Sequence, residues 1–160
     1  MADGKQPGSA RERGPGGALP VRATETAAGT SRGRVLVVDD VEDNRDLYAT
    51  YLEHSGFETD QASDGEEALA KITKAPPDVV VMDLSMPHLD GWEATRLIKS
   101  NPRTTHVIVI VVTGTATQGN LEAARAAGAD DVCSKPCLPR ELLARVERHL
   151  AMRAGHRRPV

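Results

Sequence analysis

The sequence has little cysteine and no long apolar run. Its two cysteines, Cys133 and Cys137, are too few for a disulfide framework, so they give no support for export. No apolar stretch approaches the ~20 residues of a membrane-spanning helix. The opening residues, MADGKQPGSARERGPGG, lack the apolar core and cleavage site of a secretory signal. We therefore expect a soluble, cytoplasmic protein with no membrane partner.

Positive charge is scarce in the central part of the chain. Residues 34–152 carry 12 Lys and Arg against 20 Asp and Glu, a net charge of −8. Residues 1–33 carry +2 and residues 153–160 carry +3, which is too little to reverse that balance. An acidic body is unsuited to the phosphate backbone of nucleic acids. The composition therefore argues against nucleic acid as a partner.

Apolar periodicity is missing from the first 33 residues, which hold seven glycines and three prolines. Such a segment buries too little apolar area to offset the entropy lost on ordering. We expect residues 1–33 to be a disordered extension, residues 34–152 to be one folded domain, and residues 153–160 to be a short basic tail.

From Arg34 onward, short apolar runs alternate with segments of helical periodicity. The strand candidates are RVLVVDD, FETDQAS, DVVVMD, HVIVIVVTG and DDVCSK. Apolar residues recur at helical spacing between and after them, for example at Leu47 and Tyr51, at Ala68, Leu69 and Ile72, and at Leu142, Val146 and Leu150. Continuously apolar strands separated by amphipathic helices predict an α/β fold, a doubly wound parallel sheet of five strands with five helices.

Polar side chains stand at the ends of four of these strands. They are Asp39 and Asp40, Asp83, Thr113, and Lys135. The carboxyl ends of parallel strands meet at one edge of a sheet, where such folds carry their working site. Three carboxylates there repel each other and need a cation, and oxygen ligands suit Mg²⁺. A lysine ammonium and a threonine hydroxyl can bind phosphoryl oxygens. The set therefore predicts phosphoryl transfer to an aspartate nucleophile.

The series Asp39-Asp40, Asp83, Thr113 and Lys135-Pro136 resembles the receiver domain of two-component response regulators. The successive separations, 43 residues from Asp40 to Asp83, 30 from Asp83 to Thr113 and 22 from Thr113 to Lys135, fit that family. The segments DLSMPHLDG and AAGADDVCSKP fit it too. The resemblance covers residues 34–152. It implies a flavodoxin-like sheet with strand order 2-1-3-4-5.

The resemblance also implies a Mg²⁺ site around a phosphoryl acceptor. Asp83 would accept the phosphoryl group as an acyl phosphate and would ligate Mg²⁺. Asp40 would bind the ion directly, Asp39 would bind it directly or through water, and the backbone carbonyl of Ser85 would complete the protein ligands.

Three further positions receive roles from the same resemblance. Lys135 would pair with Asp83 at rest and with the phosphoryl group afterward, and Thr113 would follow that group inward. A cis peptide would precede Pro136. Many receivers carry Tyr or Phe three residues before the lysine, where this chain has Val132. We interpret Val132 as a passive core residue, the alternative being a switch that uses other groups.

Cys133 and Cys137 bracket the Lys-Pro pair. Without a partnering histidine cluster, two thiols are usually small core or loop residues, and we interpret them so. A redox or metal function is the alternative.

The sequence thus predicts a stand-alone receiver of a phosphorelay, a signalling protein rather than an enzyme. A sensor histidine kinase or a histidine phosphotransfer protein would phosphorylate it. Since only eight residues follow Met152, it would signal by binding an unidentified downstream protein or by shuttling phosphate, as a monomer or a weak phosphorylation-dependent dimer.

Two other functions stay open. One is a Mg²⁺-dependent aspartyl-phosphate phosphatase. Enzymes of the haloacid dehalogenase kind usually have a second aspartate two residues after the nucleophile. This chain has Ser85 there, which argues against this function. The other is a degenerate receiver that binds partners without phosphorylation.

Overall fold

The computed structural model describes residues 30–157, apart from Pro87 and Ala116. Strands and helices alternate along the described chain in the order β1 (Arg34–Val38), α1 (Glu42–His54), β2 (Glu58–Ala62), α2 (Gly65–Lys74), β3 (Val79–Asp83), α3 (Gly91–Ser100), β4 (Ile108–Thr113), α4 (Gln118–Ala127), β5 (Asp131–Ser134) and α5 (Pro139–His156). Within the described ranges, no helix is both long enough and apolar enough to cross a bilayer.

The five strands form one parallel sheet in the order β2-β1-β3-β4-β5. Val38 of β1 is in register with Met82 of β3, and Asp83 is in register with Val112 of β4. The carboxyl ends of β1, β3 and β4 therefore lie side by side. This order and the alternation of strands with helices confirm the predicted fold class.

The sheet separates two apolar cores. Along β3, Val79 and Val81 belong to one core, whereas Val80 and Met82 belong to the other. Every residue of β3 and β4 is buried. Helices cover both faces of these central strands, which is why their sequences are continuously apolar rather than alternating.

The buried face of α1 differs from the expected one. Leu47 and Tyr51 are exposed, and Tyr48, Ala49 and Leu52 pack into the core instead. The hydroxyl of Tyr48 donates a hydrogen bond of 2.8 Å to the backbone carbonyl of Cys137. A tyrosine can thus be buried in this helix because its polar end has a partner.

The folded part extends beyond both expected boundaries. The backbone N–H of Arg32 donates to the carbonyl of Gly56, and the Arg32 guanidinium lies 4.8 Å from the centre of the Phe57 ring. At the other end, α5 continues to His156, and Arg153 pairs with the carboxylate of Asp78. The rest of the expected extension, residues 1–29, and residues 158–160 of the expected tail lie outside the described residues.

Candidate functional site

The polar residues predicted at the strand ends meet at one edge of the sheet. Asp39 and Asp40 follow β1, Asp83 is the last residue of β3, and one carboxylate oxygen from each lies within 4.8 Å of the others. Asp39 and Asp83 are each only 3% exposed, whereas Asp40 is exposed. Parallel strands in this order necessarily bring these residues together, because β1 and β3 are neighbours.

Asp83 contacts the side chain of Lys135, which reaches across from the segment after β5. The Lys135 ammonium lies 3.3 Å from one carboxylate oxygen of Asp83 and 4.0 Å from one of Asp39. The backbone N–H of Ser85 donates to the same Asp83 oxygen at 3.1 Å. One ammonium therefore faces two buried carboxylates, while the loop after β3 contributes a neutral donor.

The first turn of α1 holds Asp39 in place. The backbone N–H of Val41 donates to Asp39 Oδ1 at 2.9 Å, and the side-chain amide of Asn44 donates to Asp39 Oδ2 at 3.3 Å. Arg45 donates to the backbone carbonyl of Asp39 at 2.8 Å. Sequence reasoning missed Asn44 and Arg45, because polar residues in the first turns of a helix carry no signal that separates these two from residues that face solvent.

Burial raises the pKa of Asp39, and the charge of Asp83 raises it further. The hydrogen bond from Val41, the charge of Lys135 and the hydrogen bond from Asn44 act in the opposite direction. The net increase in this pKa means that these contacts do not fully offset the burial of the Asp39 carboxylate. Carboxylate oxygens at this separation, with one carboxylate exposed, fit a hard divalent cation such as Mg²⁺.

The charge of the cluster also reaches Tyr48. Burial raises the pKa of its phenol, and the charges of Asp39 and Asp83 add to the increase. The phenol therefore stays a hydrogen-bond donor to Cys137, and it links α1 to the loop that follows β5.

Thr113 ends β4 and is 3% exposed. Its hydroxyl accepts a hydrogen bond of 3.1 Å from the backbone N–H of Thr115, and its backbone carbonyl accepts one of 2.7 Å from the N–H of Lys135. The side chain of Thr113 is thus hydrogen-bonded within the loop after β4, and its backbone is hydrogen-bonded to the segment that carries Lys135.

The segment from Val132 to Cys137 closes the site. Val132 is partly buried and packs against the apolar core that contains Val80 and Met82. The peptide bond between Lys135 and Pro136 is cis. Cys133 and Cys137 are both buried in an apolar core, which agrees with our interpretation, but they form a disulfide instead of remaining two thiols. Their Cα atoms are 6.3 Å apart, a separation that the backbone on either side of Lys135 creates and that sequence spacing alone does not reveal.

Close contact between Gly91 and β3 fixes the position of Asp83. A Cβ atom at Gly91 would lie 2.5 Å from the backbone carbonyl oxygen of Asp83 and 2.9 Å from Leu84 Cδ2. Only a glycine lets the start of α3 approach the end of β3 so closely.

Comparison with known proteins agrees with this geometry. Residues 35–147 match the family model of the response regulator receiver domain. The chain is 37% identical over 118 residues to the transcriptional regulatory protein ResD of Bacillus subtilis, in an alignment that covers 74% of this chain and 48% of ResD. It is 36% identical over 102 residues to the polar-differentiation response regulator DivK of Brucella anthropi, covering 64% of this chain and 83% of DivK.

A solved structure gives the same result. The chemotaxis response regulator CheY4 of Vibrio cholerae is similar with a TM-score of 0.70 and 31% identity, covering 74% of this chain and 98% of that one. The chain spans about half the length of ResD, so the activity of that whole protein is not transferred to it. Since the family match extends over most of the chain, the protein belongs to the response regulator receiver domains of two-component signalling.

Proposed function

We propose that Asp83 accepts a phosphoryl group from a phosphohistidine of a partner protein. The observation that carries this proposal is the environment of Asp83, a buried carboxylate at the end of a fully buried strand with an ammonium group at 3.3 Å. The strand holds the nucleophile rigidly at the edge of the sheet. The lysine offers a positive charge where phosphoryl oxygens would arrive.

A carboxylate oxygen of Asp83 attacks phosphorus, and the bond between phosphorus and the histidine nitrogen breaks. The product is an acyl phosphate on Asp83 and a free imidazole on the donor. Lys135 exchanges its contact with the Asp83 carboxylate for one with a phosphoryl oxygen. The Thr113 hydroxyl gives up the hydrogen bond from the backbone N–H of Thr115 and donates one to a phosphoryl oxygen. This change draws the loop after β4 toward the site.

Mg²⁺ would be held by Asp39, Asp40, Asp83 and the backbone carbonyl of Ser85. When bound, the ion neutralises the acidic cluster and the phosphoryl oxygens. The residues fit this role because two of the carboxylates are buried with one shared ammonium, and because the pKa of Asp39 is raised by burial and by Asp83.

The partner that donates phosphate is a sensor histidine kinase or a histidine phosphotransfer protein in the cytoplasm. Phosphorylation then shifts the population of two surface states, and a downstream protein reads the difference or receives the phosphate. Val132 stays packed against the apolar core during this change and takes no active part in it. The protein works as a monomer or as a weak phosphorylation-dependent dimer.

The test is phosphorylation by a small donor. The full chain is incubated with acetyl phosphate and Mg²⁺ and weighed by intact mass spectrometry, alongside Asp83→Asn and the matched control Asp60→Asn, which removes an exposed carboxylate on β2. We expect one phosphoryl group on the parent and on the control, and none on Asp83→Asn or in EDTA. Equal labelling of Asp83→Asn and the parent, or no labelling of the parent, would refute the proposal.

A further inference from the structure

The disulfide between Cys133 and Cys137 encloses the residue that contacts Asp83. It joins the third residue of β5 to the residue two positions before α5, and Ser134, Lys135 and Pro136 lie between the two cysteines. The Lys135 ammonium reaches Asp83 and Asp39 from within this ring. Formation or reduction of this disulfide therefore changes the conformational freedom of the backbone that carries the Lys135 ammonium group.

A bond of this span is a poor means of stabilising the whole domain. In the chain-entropy model a disulfide restricts the unfolded chain more when it closes a longer loop, with a logarithmic dependence on loop length, and this one joins residues only four positions apart. Its principal effect is local. It limits the conformations of the segment between β5 and α5, whose folded position already depends on the bonds from Lys135 N–H to Thr113 and from Tyr48 to Cys137.

Both sulfur-bearing residues lie just below the surface. Cys133 is 3% exposed and Cys137 is 6% exposed, yet their neighbours Ser134, Pro136 and Leu138 are exposed. Opening of the segment between β5 and α5 would therefore expose the two sulfur atoms to solvent. Disulfides in the reducing cytoplasm are usually transient, formed in catalysis or in redox sensing.

We propose that Cys133 and Cys137 form a reversible dithiol–disulfide pair that sets the position of Lys135 at the acidic cluster. The oxidant is a low-molecular-weight disulfide. One cysteine thiolate attacks it, forms a mixed disulfide and releases one thiol. The second thiolate then attacks the cysteine sulfur of that mixed disulfide and releases the other thiol. The two protons lost by the cysteines end on the two released thiols, and small thiols reverse both steps.

The effect on Lys135 rests on the proposed function of Asp83, whereas the existence of the redox pair does not. In the oxidised protein the ring holds Lys135 near the attacking carboxylate. In the reduced protein this restraint is gone, and Lys135 samples more positions. We expect the oxidised chain to take phosphate from acetyl phosphate faster by about threefold or more, since small displacements of a charged group at a reacting centre are costly.

The first part of the test measures the pair itself. The full chain is equilibrated with mixtures of reduced and oxidised glutathione, denatured in guanidinium with iodoacetamide, and examined by intact mass and peptide mapping. We expect two alkylated cysteines at the reducing end. At the oxidising end we expect no alkylation and a peptide that carries the Cys133–Cys137 bridge. A chain that stays a dithiol at every ratio would overturn the proposal, as would one that no excess of thiol reduces.

The second part measures the consequence for phosphorylation. Rates with acetyl phosphate are compared for the oxidised and reduced parent and for Cys133→Ala/Cys137→Ala, with Cys137→Ser as a second variant if the double substitution impairs folding. Only the parent should respond to the glutathione ratio. Equal rates in both parent states would overturn the coupling. A parent that takes no phosphate in either state fails the proposed function, and the alkylation result still decides the redox pair.

A metal is the competing occupant of these side chains. Sulfur atoms of Cys133 and Cys137 and a carboxylate oxygen of Glu141 lie within 4.8 Å of one another. The reduced chain is therefore titrated with Zn²⁺. Binding of one equivalent that is lost in the double variant would assign the three residues to a metal site and overturn the redox pair. We expect no such binding, since structural zinc sites use four ligands.

Discussion

The ammonium of Lys135 lies 3.3 Å from a carboxylate oxygen of Asp83, although β5 and β3 are not neighbours in the sheet. The contact spans the end of β4, and the same ammonium is 4.0 Å from Asp39. Three parts of the chain that are far apart in sequence are thereby held together by one positive charge.

Removal of that charge should destabilise the metal-free protein. Among the described residues, Lys135 is the one that forms an ion pair with the buried carboxylates of Asp39 and Asp83. We therefore expect Lys135→Met to lower the free energy of unfolding in EDTA by about 1–3 kcal/mol. Mg²⁺ should stabilise this variant more than it stabilises the parent. Urea unfolding with and without Mg²⁺ measures both effects.

The control is Lys71→Met, since Lys71 pairs with Asp60 and Glu67 at the protein surface. We expect it to lose less than about 1 kcal/mol. Equal stability of Lys135→Met and the parent in EDTA would contradict the role that we assign to the lysine.

Asp39 should oppose folding when no metal is bound. Because burial and Asp83 raise its pKa, the folded protein binds a proton at a pH where the unfolded chain has already lost it. The cost of ionised Asp39 is therefore present at neutral pH and disappears as the pH falls through the raised pKa. We expect Asp39→Asn to raise the midpoint of thermal unfolding in EDTA at neutral pH by about 2–4 °C.

Thermal unfolding over a pH series checks this sign. The advantage of Asp39→Asn over the parent should shrink on acidification, and Asp46→Asn, which removes an exposed carboxylate on α1, should stay close to the parent throughout. A lower midpoint for Asp39→Asn at neutral pH would show that hydrogen bonds to the carboxylate outweigh its repulsion from Asp83.

Asp131 has the opposite dependence on pH. Burial acts to raise its pKa, but hydrogen bonds from His149 and Arg145 and the charge of Arg145 hold that pKa below its usual value. Arg145 and Arg148 contact its carboxylate at 2.7 and 2.8 Å, which ties β5 to α5. Such a carboxylate stabilises the fold above its unfolded-state pKa, and this stabilisation is lost as the pH falls through the lowered folded-state pKa.

We expect Asp131→Asn to cost about 1–3 kcal/mol of unfolding free energy at neutral pH. The difference from the parent should narrow on acidification below the usual carboxyl range, which urea unfolding at a series of pH values measures. Asp60→Asn breaks a more exposed pair and should cost less. A cost for Asp131→Asn that does not change with pH would argue for packing rather than charge.

Any side chain at position 91 should destabilise the fold, because the space beside Gly91 is already occupied by β3. A methyl group there collides with the backbone of Asp83, so we expect Gly91→Ala to cost about 1–3 kcal/mol. It should also slow phosphorylation, because relief of the collision moves Asp83. Thermal unfolding and intact mass after acetyl phosphate measure the two effects.

Gly119→Ala is the matched control. A Cβ at Gly119 meets no atom of the described residues within 4 Å. Alanine also favours a helix over glycine by about 1 kcal/mol, so this variant should be as stable as the parent or more stable. A Gly91→Ala variant that behaves in the same way would mean that α3 can shift away from β3 at no cost.

The fold and the strand ends could be predicted because both depend on local pattern. A run such as Val79 to Met82 is typical of a central strand that helices cover on both faces, and the acid that ends the strand then lies at the end of the sheet. The face of α1 could not be predicted in this way. Leu47 and Tyr51, like Tyr48 and Leu52, are spaced four residues apart, and only the hydrogen bond from Tyr48 to a carbonyl 89 residues away distinguishes the two pairs.

Other missed features depend on where the folded backbone places each side chain. The helix α5 extends past the expected boundary to include Arg153, which pairs with Asp78, 75 residues earlier in the chain. The cysteines form a bond because the backbone turns at Lys135 and Pro136, and that turn leaves no periodic signal. Asn44 and Arg45 resemble any polar residues of an exposed helix until α1 is placed beside the end of β1.

Asp78 has a practical consequence for experiments on this protein. One of its carboxylate oxygens accepts the backbone N–H of Arg34 at the start of β1, and the other pairs with Arg153 near the end of α5. Both ends of the domain therefore lie beside the start of β3. A strand rises about 3.3 Å per residue, which puts the acidic cluster about 17 Å away at the opposite edge of the sheet. A fluorophore or an affinity handle attached at the end of α5 would therefore lie on the side of the sheet away from the acidic cluster.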